Sequence, residues 1–258
     1  MTKRIVSLVP STTATLAYAG LKGSILGCTQ FCVDPPNLHR TAEIVGGTKD
    51  PDHGKIQKLE PDLIFMNKEE NRLEDYTLLE QKFTIKSNLI RTPFAVVKDY
   101  EELALTVPSH SETFLHSAKS LEQELEKAVN RKVSRRLKAL YLIWKNPYMS
   151  IGHDTYINAM LEIMGFQNVI EKFSDDRYPV VSDQQIIAHD PEVILLSTEP
   201  YPFRKRDCAD LQNLVPNAEL YRADGKLFSW HGYHTMVALR ELNANGDIFR
   251  TDLCRPFQ

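Results

Sequence analysis

The sequence predicts an α/β protein of two lobes, each with a central parallel sheet, joined by one long interdomain α-helix. Three observations carry this. Short β-branched apolar runs alternate with helical segments, as expected for parallel strands covered on both faces. The pattern also echoes itself. Ile56–Glu69 resembles Ile186–Glu199, each reading as a helix end, an acid-Pro turn, a buried strand and a polar loop ending in Glu. Arg4–Gly20 pairs in the same way with Lys138–Gly165 as a strand, a Pro-containing loop, a helix and a Gly stop. Two echoes in the same order indicate two similar lobes. Between the halves lies the clearest amphipathic stretch in the chain.

Taken in order, strands are expected at Ile5–Val9, Ser24–Cys28, Leu63–Met66, Thr84–Ser87, Leu140–Ile143, Val193–Leu196 and Glu219–Tyr221. Helices are expected at Thr13–Ala19, Thr155–Met164 and His234–Leu242. The central helix should open with a capping box over Ser109-His110-Ser111-Glu112, with Pro108 ending the element before it. Phe114, Leu115, Ala118, Leu121, Leu125, Ala128 and Val129 then recur at helical spacing, with Lys119, Glu122, Gln123, Glu126 and Lys127 opposite. Run to about Arg131, it would span roughly 30 Å, a stiff strut that permits small hinge motions. A packing helix inside one domain would show the same stripe. The expected division is 1–105 for the N-terminal lobe, 106–135 for the helix and 136–258 for the C-terminal lobe.

Composition narrows the partners. The 258 residues are 42% hydrophobic and 25% charged, with a net charge of -3. That balance argues against nucleic acid or an anionic membrane surface, which need concentrated basic charge. The basic clusters, Arg135-Arg136 and Arg204-Lys205-Arg206, are short. No apolar run approaches the ~20 residues of a membrane span. Met1-Thr2-Lys3-Arg4 leads directly into the first strand, leaving no room for a secretory signal. A cytoplasmic location is therefore expected, or a periplasmic one if a leader was removed. Cys28, Cys32, Cys208 and Cys254 form no disulfide framework and are read as free thiols of a reducing compartment.

Arg4–Ser11 (RIVSLVPS), Gly46-Gly47-Thr48, Leu59–Ile64 (LEPDLI) and Asp190–Ile194 (DPEVI), in this order around a central helix, resemble the helical-backbone class (class III) of substrate-binding proteins. That class serves ABC importers of cobalamin, haem and ferric siderophores. The resemblance covers nearly the whole chain. It is closer still to a leaderless cobalamin-binding-like branch with stretches similar to Asn67–Asn71 (NKEEN), Tyr141–Trp144 (YLIW), Pro147–Met149 (PYM), Ser197–Phe203 (STEPYPF) and Phe228–Trp230 (FSW). It implies Rossmann-like lobes and a binding protein, not an enzyme. The ligand would be a bulky metal chelate (cobalamin, haem or a ferric siderophore) held in an interlobe cleft, with no covalently bound cofactor. Members that feed importers present a carboxylate on each lobe to the permease. Glu69, Glu70, Glu74 and Asp75 are the candidates on the first lobe, Glu69 and Glu70 foremost, and Glu199 on the second. Arg204-Lys205-Arg206 beside Glu199 would repel a basic permease surface, so a cytoplasmic carrier or sensor fits better than importer docking.

In open α/β sheets, ligands bind beyond the carboxyl ends of the strands. The loops expected there are Pro10–Thr13, Phe31–Val33, Asn67–Asn71, Trp144–Tyr148, Ser197–Phe203 and Phe228–Tyr233. They supply the candidate ligand residues Ser11, Phe31, Lys49, Lys68, Trp144, Tyr148, Tyr178, Tyr201, Trp230 and His231. Aromatic faces suit a flat, partly apolar ligand; for Trp144 and Phe203 the competing role is core packing. Pro200 and Pro202 should hold Tyr201 out rigidly. His231, three residues before His234, is a candidate axial metal ligand, against the commoner role of a solvated loop histidine. Cys28, Cys32 and His39 make three zinc-type ligands where a closed site wants four. Lys49, Lys68, Arg91 and Arg177 could meet ligand carboxylates or phosphate, or end in surface ion pairs.

Two rival functions remain. For an enzyme acting on a chelate, no G-x-S-x-G elbow, phosphate loop or H-E-x-x-H motif is present, but a Ser–His or Cys–His contact within hydrogen-bond reach would favour it. A protein-interaction module would instead show an exposed apolar patch of several hundred Å².

Overall fold

The computed structural model describes residues 3–170, 176–251 and 253–256. Its strands form two separate five-stranded sheets. The first contains β1 (Ile5–Ser7), β2 (Ile25–Cys28), β3 (Glu43–Ile44), β4 (Leu63–Asn67) and β5 (Ile85–Asn88) in the order β3-β2-β1-β4-β5, all parallel. The second contains β6 (Leu137–Leu142), β7 (Phe166–Asn168), β8 (Val193–Ser197), β9 (Glu219–Ala223) and β10 (Cys254–Pro256) in the order β10-β9-β8-β6-β7, parallel except for β10 against β9. All five residues of β4 and of β8 are buried, the reason their sequences read as unbroken apolar runs.

The two echoes in the sequence become the two central strand pairs, β1 with β4 and β6 with β8. The helices α2 (His53–Lys58) and α7 (Asp183–His189) lead into β4 and β8 through the acid-Pro turns, with Glu60 at φ 44° and Asp190 at φ 46°. The acid after each proline then grips the neighbouring strand. The Arg4 amide donates to Asp62 Oδ2 at 2.8 Å, and the Asp62 amide returns a bond to the Arg4 carbonyl at 2.8 Å. In the second sheet the Lys138 amide donates to Glu192 Oε2 at 3.0 Å and the Glu192 amide to the Lys138 carbonyl at 2.9 Å. Even the basic side chains correspond, with Arg4 Nε on the Glu60 carbonyl and Lys138 Nζ on the Asp190 carbonyl.

After β1 the chain turns straight into α1 (Pro10–Leu16), with Pro10 in the first helical turn, where its missing N–H costs nothing. Pro10–Thr13 is therefore helix and not loop. Thr13 and Thr15 bury their hydroxyls by donating to the carbonyls of Val9 and Ser11. Other helices are α3 (Leu73–Leu79), α4 (Pro93–Thr106), α6 (Tyr156–Met164), α8 (Lys205–Leu214), α9 (Gly225–Ser229) and α10 (Tyr233–Asn245).

The long helix is α5 (Ser111–Asn130). The expected capping box does not form: Pro108–His110 is a 3-10 turn and the Ser109 hydroxyl meets the His110 ring at 3.0 Å. Phe114, Ala118, Leu121, Leu125 and Ala128 are buried, at alternating spacings of four and three, whereas Leu115 and Val129 lie beside this stripe and are exposed.

The chain divides into two compact units. The first gathers the described residues of Met1–Ile90, Ala95–Ser120 and His231–His234, and the second those of Arg91–Phe94, Leu121–Trp230 and Thr235–Gln258. Ser111–Ser120 of α5 thus counts with the first unit and Leu121–Asn130 with the second. The first core clusters Val6, Leu8, Val45, Ile56, Ile64 and Met66; the second includes Leu140, Leu142, Ile186, Ile194, Leu196 and Leu211.

Leu121→Ala should cost about 2–5 kcal/mol through the cavity it leaves, and Leu115→Ala under about 1 kcal/mol. Urea denaturation of both variants checks this. Equal costs would show that the stripe does not define the packed face.

Candidate functional site

In each sheet the strand order reverses beside its central pair, and the loops leaving that pair are where an open α/β sheet binds ligands. In the first unit these are the β1–α1 junction and Asn67–Asn71. One buried amide ties them together. Asn71 Nδ2 donates to the Leu8 carbonyl at 3.1 Å and to the Thr48 carbonyl at 2.9 Å, while its Oδ1 accepts from the Asn67 amide at 2.8 Å. Asn67 Oδ1 in turn accepts from the amides of Glu69 and Glu70. Gly46-Gly47-Thr48 is thereby linked to the loop after β4, with the Phe31 ring beside Gly47. Phe31 is 51% exposed. Lys68 is exposed, whereas Lys49 spends its ammonium on the Glu69 carbonyl at 2.8 Å. Glu69 and Glu70 are half-buried. Asp75 is turned inward to Arg72 and His53.

In the second unit the corresponding loops are Trp144–Tyr148 and Ser197–Phe203. Trp144 packs edge-on to Tyr201 with ring centroids 5.6 Å apart, and Tyr201 edge-on to Phe203 at 4.8 Å. Phe203 is core, as its competing reading had it; Trp144 remains 40% exposed. Lys145 ties its loop to α8 through Asp207 at 2.8 Å and Asp210 at 2.5 Å. Burial works against the Lys145 charge, but the two carboxylates outweigh it and raise its pKa. Tyr148 borders a hollow of about 610 Å³ with Lys145, Val180, Asp183 and Leu214. Tyr178 is 38% exposed, with the Arg177 guanidinium over its ring. Arg91 and Arg177 both reach Asp154.

The loop after β8 is braced from below. The Tyr141 hydroxyl donates to Ser197 Oγ, which donates to the Glu199 carbonyl at 2.6 Å, and the Gly225 amide donates to Thr198 Oγ1 at 2.9 Å. Only glycine fits at 225, since a Cβ there would collide with Glu199 Cγ. Glu199 points its carboxylate to the Ser229 hydroxyl and the Trp230 indole instead of outward. Burial raises its pKa, against those two bonds. Arg204, Lys205 and Arg206 are all exposed nearby in sequence.

Trp230 and His231, expected on an open loop, are 8% and 5% exposed. His231–His234 is fastened within the first unit. His231 Nε2 lies 3.1 Å from Ser11 Oγ, and the Tyr233 amide donates to Thr15 Oγ1 at 3.0 Å. Gly232, at φ 82°, takes a conformation open to glycine, and a Cβ there would strike the same Thr15 oxygen. The Tyr233 ring stacks on Tyr18 at 3.8 Å, and Asp34 joins the Tyr18 hydroxyl (2.7 Å) to His234 Nε2 (2.9 Å). The sequence reading overlooked Tyr18 and Asp34; nothing local marks them, because their partners lie some 200 positions away. His231 Nε2 is engaged by Ser11. Among the described residues no group of three or more His, Cys, Asp and Glu could hold a metal ion. The zinc set dissolves likewise: His39 Nε2 meets the Thr29 carbonyl, and Cys32 Sγ lies 3.2 Å from the hydroxyl oxygens of both Thr13 and Thr29. Burial pushes the Cys32 thiol up, but hydrogen bonds from Cys28, Thr13 and Thr29 outweigh it.

Burial depresses the pKa of His231. Below the ordinary value of about 6.5 the unfolded chain therefore takes up a proton that the folded chain resists. This contribution is fully present above about pH 6.5 and is lost as pH falls below it. Urea midpoints from pH 7.5 to 5 should fall more steeply for the wild type than for His231→Gln. Parallel curves would place the titration elsewhere.

The chain matches the model of the Periplasmic binding protein family over residues 5–219. It is 26% identical over 198 residues to the vitamin B12-binding protein of Photorhabdus laumondii, covering 75% of this chain and 70% of that one. Among solved structures, the periplasmic vitamin B12 binding protein of Vibrio cholerae superposes with a TM-score of 0.80 at 21% identity, over 94% of this chain and 95% of that one. A periplasmic haem binding protein from Pseudomonas aeruginosa does so with a TM-score of 0.83 at 16% identity, over 100% and 99%. Two doubly wound sheets sharing one long helix, matched by this family from β1 to the start of β9, make the chain a member of the Periplasmic binding protein family.

Proposed function

We propose that the protein is a substrate-binding protein for a bulky metal chelate of the cobalamin, haem or ferric siderophore type. One observation carries the reading: rings stand exposed on loops at the carboxyl ends of the strands, Phe31 after β2 in the first unit and Trp144 after β6 in the second, each in a backbone hydrogen-bonded turn. Rigid aromatic faces bind flat ligands at small entropic cost. The relatives named above bind vitamin B12 or haem, which supports the class and leaves the individual chelate to experiment. We assign ligand contacts to Phe31, Trp144, Tyr148, Tyr178, Tyr201 and Lys68. Ser11, Trp230 and His231 are assigned to bracing the loops.

The Ser11–His231 contact favours a second reading, an enzyme acting on the chelate. Ser11 is only 2% exposed, however, and a nucleophile must come within about 3 Å of its substrate. The pair is read as a structural clip. Delivery to an ABC permease accords with the family, while four free thiols favour a reducing compartment and hence a carrier or sensor. Among the described residues no helix is long and apolar enough to cross a membrane. Cell fractionation that finds the chain outside the cytoplasmic membrane would return it to the importer pathway.

Titration with cobalamin, haemin and ferric siderophores should shift the visible absorption of one of them and quench tryptophan fluorescence. Trp144→Ala should weaken that binding by about 1–2 kcal/mol, roughly 5- to 30-fold. Silence with all three ligands removes the chelate class, and unchanged affinity in the variant removes Trp144 from the site.

A further inference from the structure

We propose that the first unit carries a binding site for small organic oxyanions, in the hollow flanked by β4, β5 and α3. The hollow holds about 670 Å³, within the range of small-molecule sites. All its lining residues fall inside Met1–Ile90, so it is complete within one unit; of the chelate contacts assigned above it shares Lys68 alone.

Its lining is one-sided in charge. Lys68, Arg72 and Lys86 contribute three cations, and no carboxylate lines it. Among the described residues the Lys68 ammonium has neither an ion pair nor a hydrogen bond. Arg72 is half-exposed and bonds Asp75 through Nε and Nη2, at 2.9 and 3.3 Å, but Asp75 also serves His53, so its two oxygens are divided. Lys86 pairs with Glu102, which is outside the lining. A guanidinium edge and two ammonium groups around one concavity match the oxygens of a carboxylate or a phosphate.

The remaining walls fit an apolar body. Tyr76 and Ile85 line the hollow and Leu73 stands at its rim, mostly exposed. The site is also held in shape before any ligand arrives. The Lys68 amide donates to the Asn88 carbonyl at 2.9 Å, and Asn67 Nδ2 donates to Asn88 Oδ1 at 3.0 Å. The ligand chemistry is thus an oxyanion on an aromatic or aliphatic body, from either a carboxylic acid or a phosphomonoester.

Amide chemical-shift mapping of the full-length ¹⁵N-labelled chain tests this, with phenyl phosphate, benzoate and neutral benzyl alcohol as probes. Saturable shifts at Lys68, Arg72 and Ser87 with phenyl phosphate or benzoate, absent with benzyl alcohol, are expected. The stronger of the two oxyanions identifies the source. Lys68→Met and Lys86→Met should each weaken binding about tenfold, while Lys119→Met on α5, far from the lining in sequence, should leave it unchanged. No saturation with either oxyanion, equal shifts with benzyl alcohol, or undiminished affinity in both Lys68→Met and Lys86→Met overturns the proposal.

Discussion

Two acidic side chains, Asp62 and Glu192, each close a two-bond ring with the residue at the start of the neighbouring strand. That ring sets the register of β1 against β4 and of β6 against β8. These are the pairs at which each sheet's strand order reverses, so the register aligns the loops that leave the switch point. A carboxylate that accepts a backbone N–H is a charge-assisted bond. It also occupies an amide that would otherwise stand unpaired at a strand end. The proline before each acid fixes φ and, with the left-handed residue before it, ends the incoming helix. The same three-residue device, used twice, builds both halves of the molecule.

Above the central pairs the two units solve the same problem with different side chains. In the first, Asn71 spans carbonyls from two loops and an amide from its own. A buried side-chain amide that loses one such partner leaves polar groups dry, which is why the arrangement is rigid. In the second, Ser197, Thr198 and Glu199 are pinned against α9 at Gly225. Glu199 braces Trp230 and Ser229 through its carboxylate. The exposed charge near it in sequence is the basic run Arg204–Arg206.

The central strands were readable because burial on both faces demands unbroken apolar runs. The helix α5 was readable because its stripe, from Phe114 to Ala128, keeps one period for about four turns. What stayed hidden follows from the same physics. β3 is two exposed residues, β7 is a three-residue edge strand ending in a buried Asn, and β10 is an antiparallel edge ending in Pro256, so none carries an apolar pattern. Leu115 and Val129 were assigned to the stripe on hydrophobicity alone, although each sits one position from a buried member. For the site, the loops were legible and the orientations were not. Trp230 and Glu199 look like surface groups in sequence, and only their mutual hydrogen bond turns both inward.

The Ser11–His231 contact shows how far distance alone carries a functional argument. A serine and an imidazole 3.1 Å apart satisfy the first requirement of a nucleophile and its base. Catalysis needs a second condition: a substrate atom must reach the oxygen. Ser11 lies in the first turn of α1, where all seven residues are buried, and the histidine belongs to a four-residue stretch that docks on that helix through Thr15 and, beyond it, on Tyr18 and Asp34. The contact is one of several along this stretch, which carries the chain from Trp230 in the second unit into the first and back at Thr235. Burial lowers the pKa of His231 and so favours the neutral imidazole, the form best tolerated in a buried site. A neutral imidazole sharing a hydrogen bond with a buried hydroxyl holds a crossing segment in place.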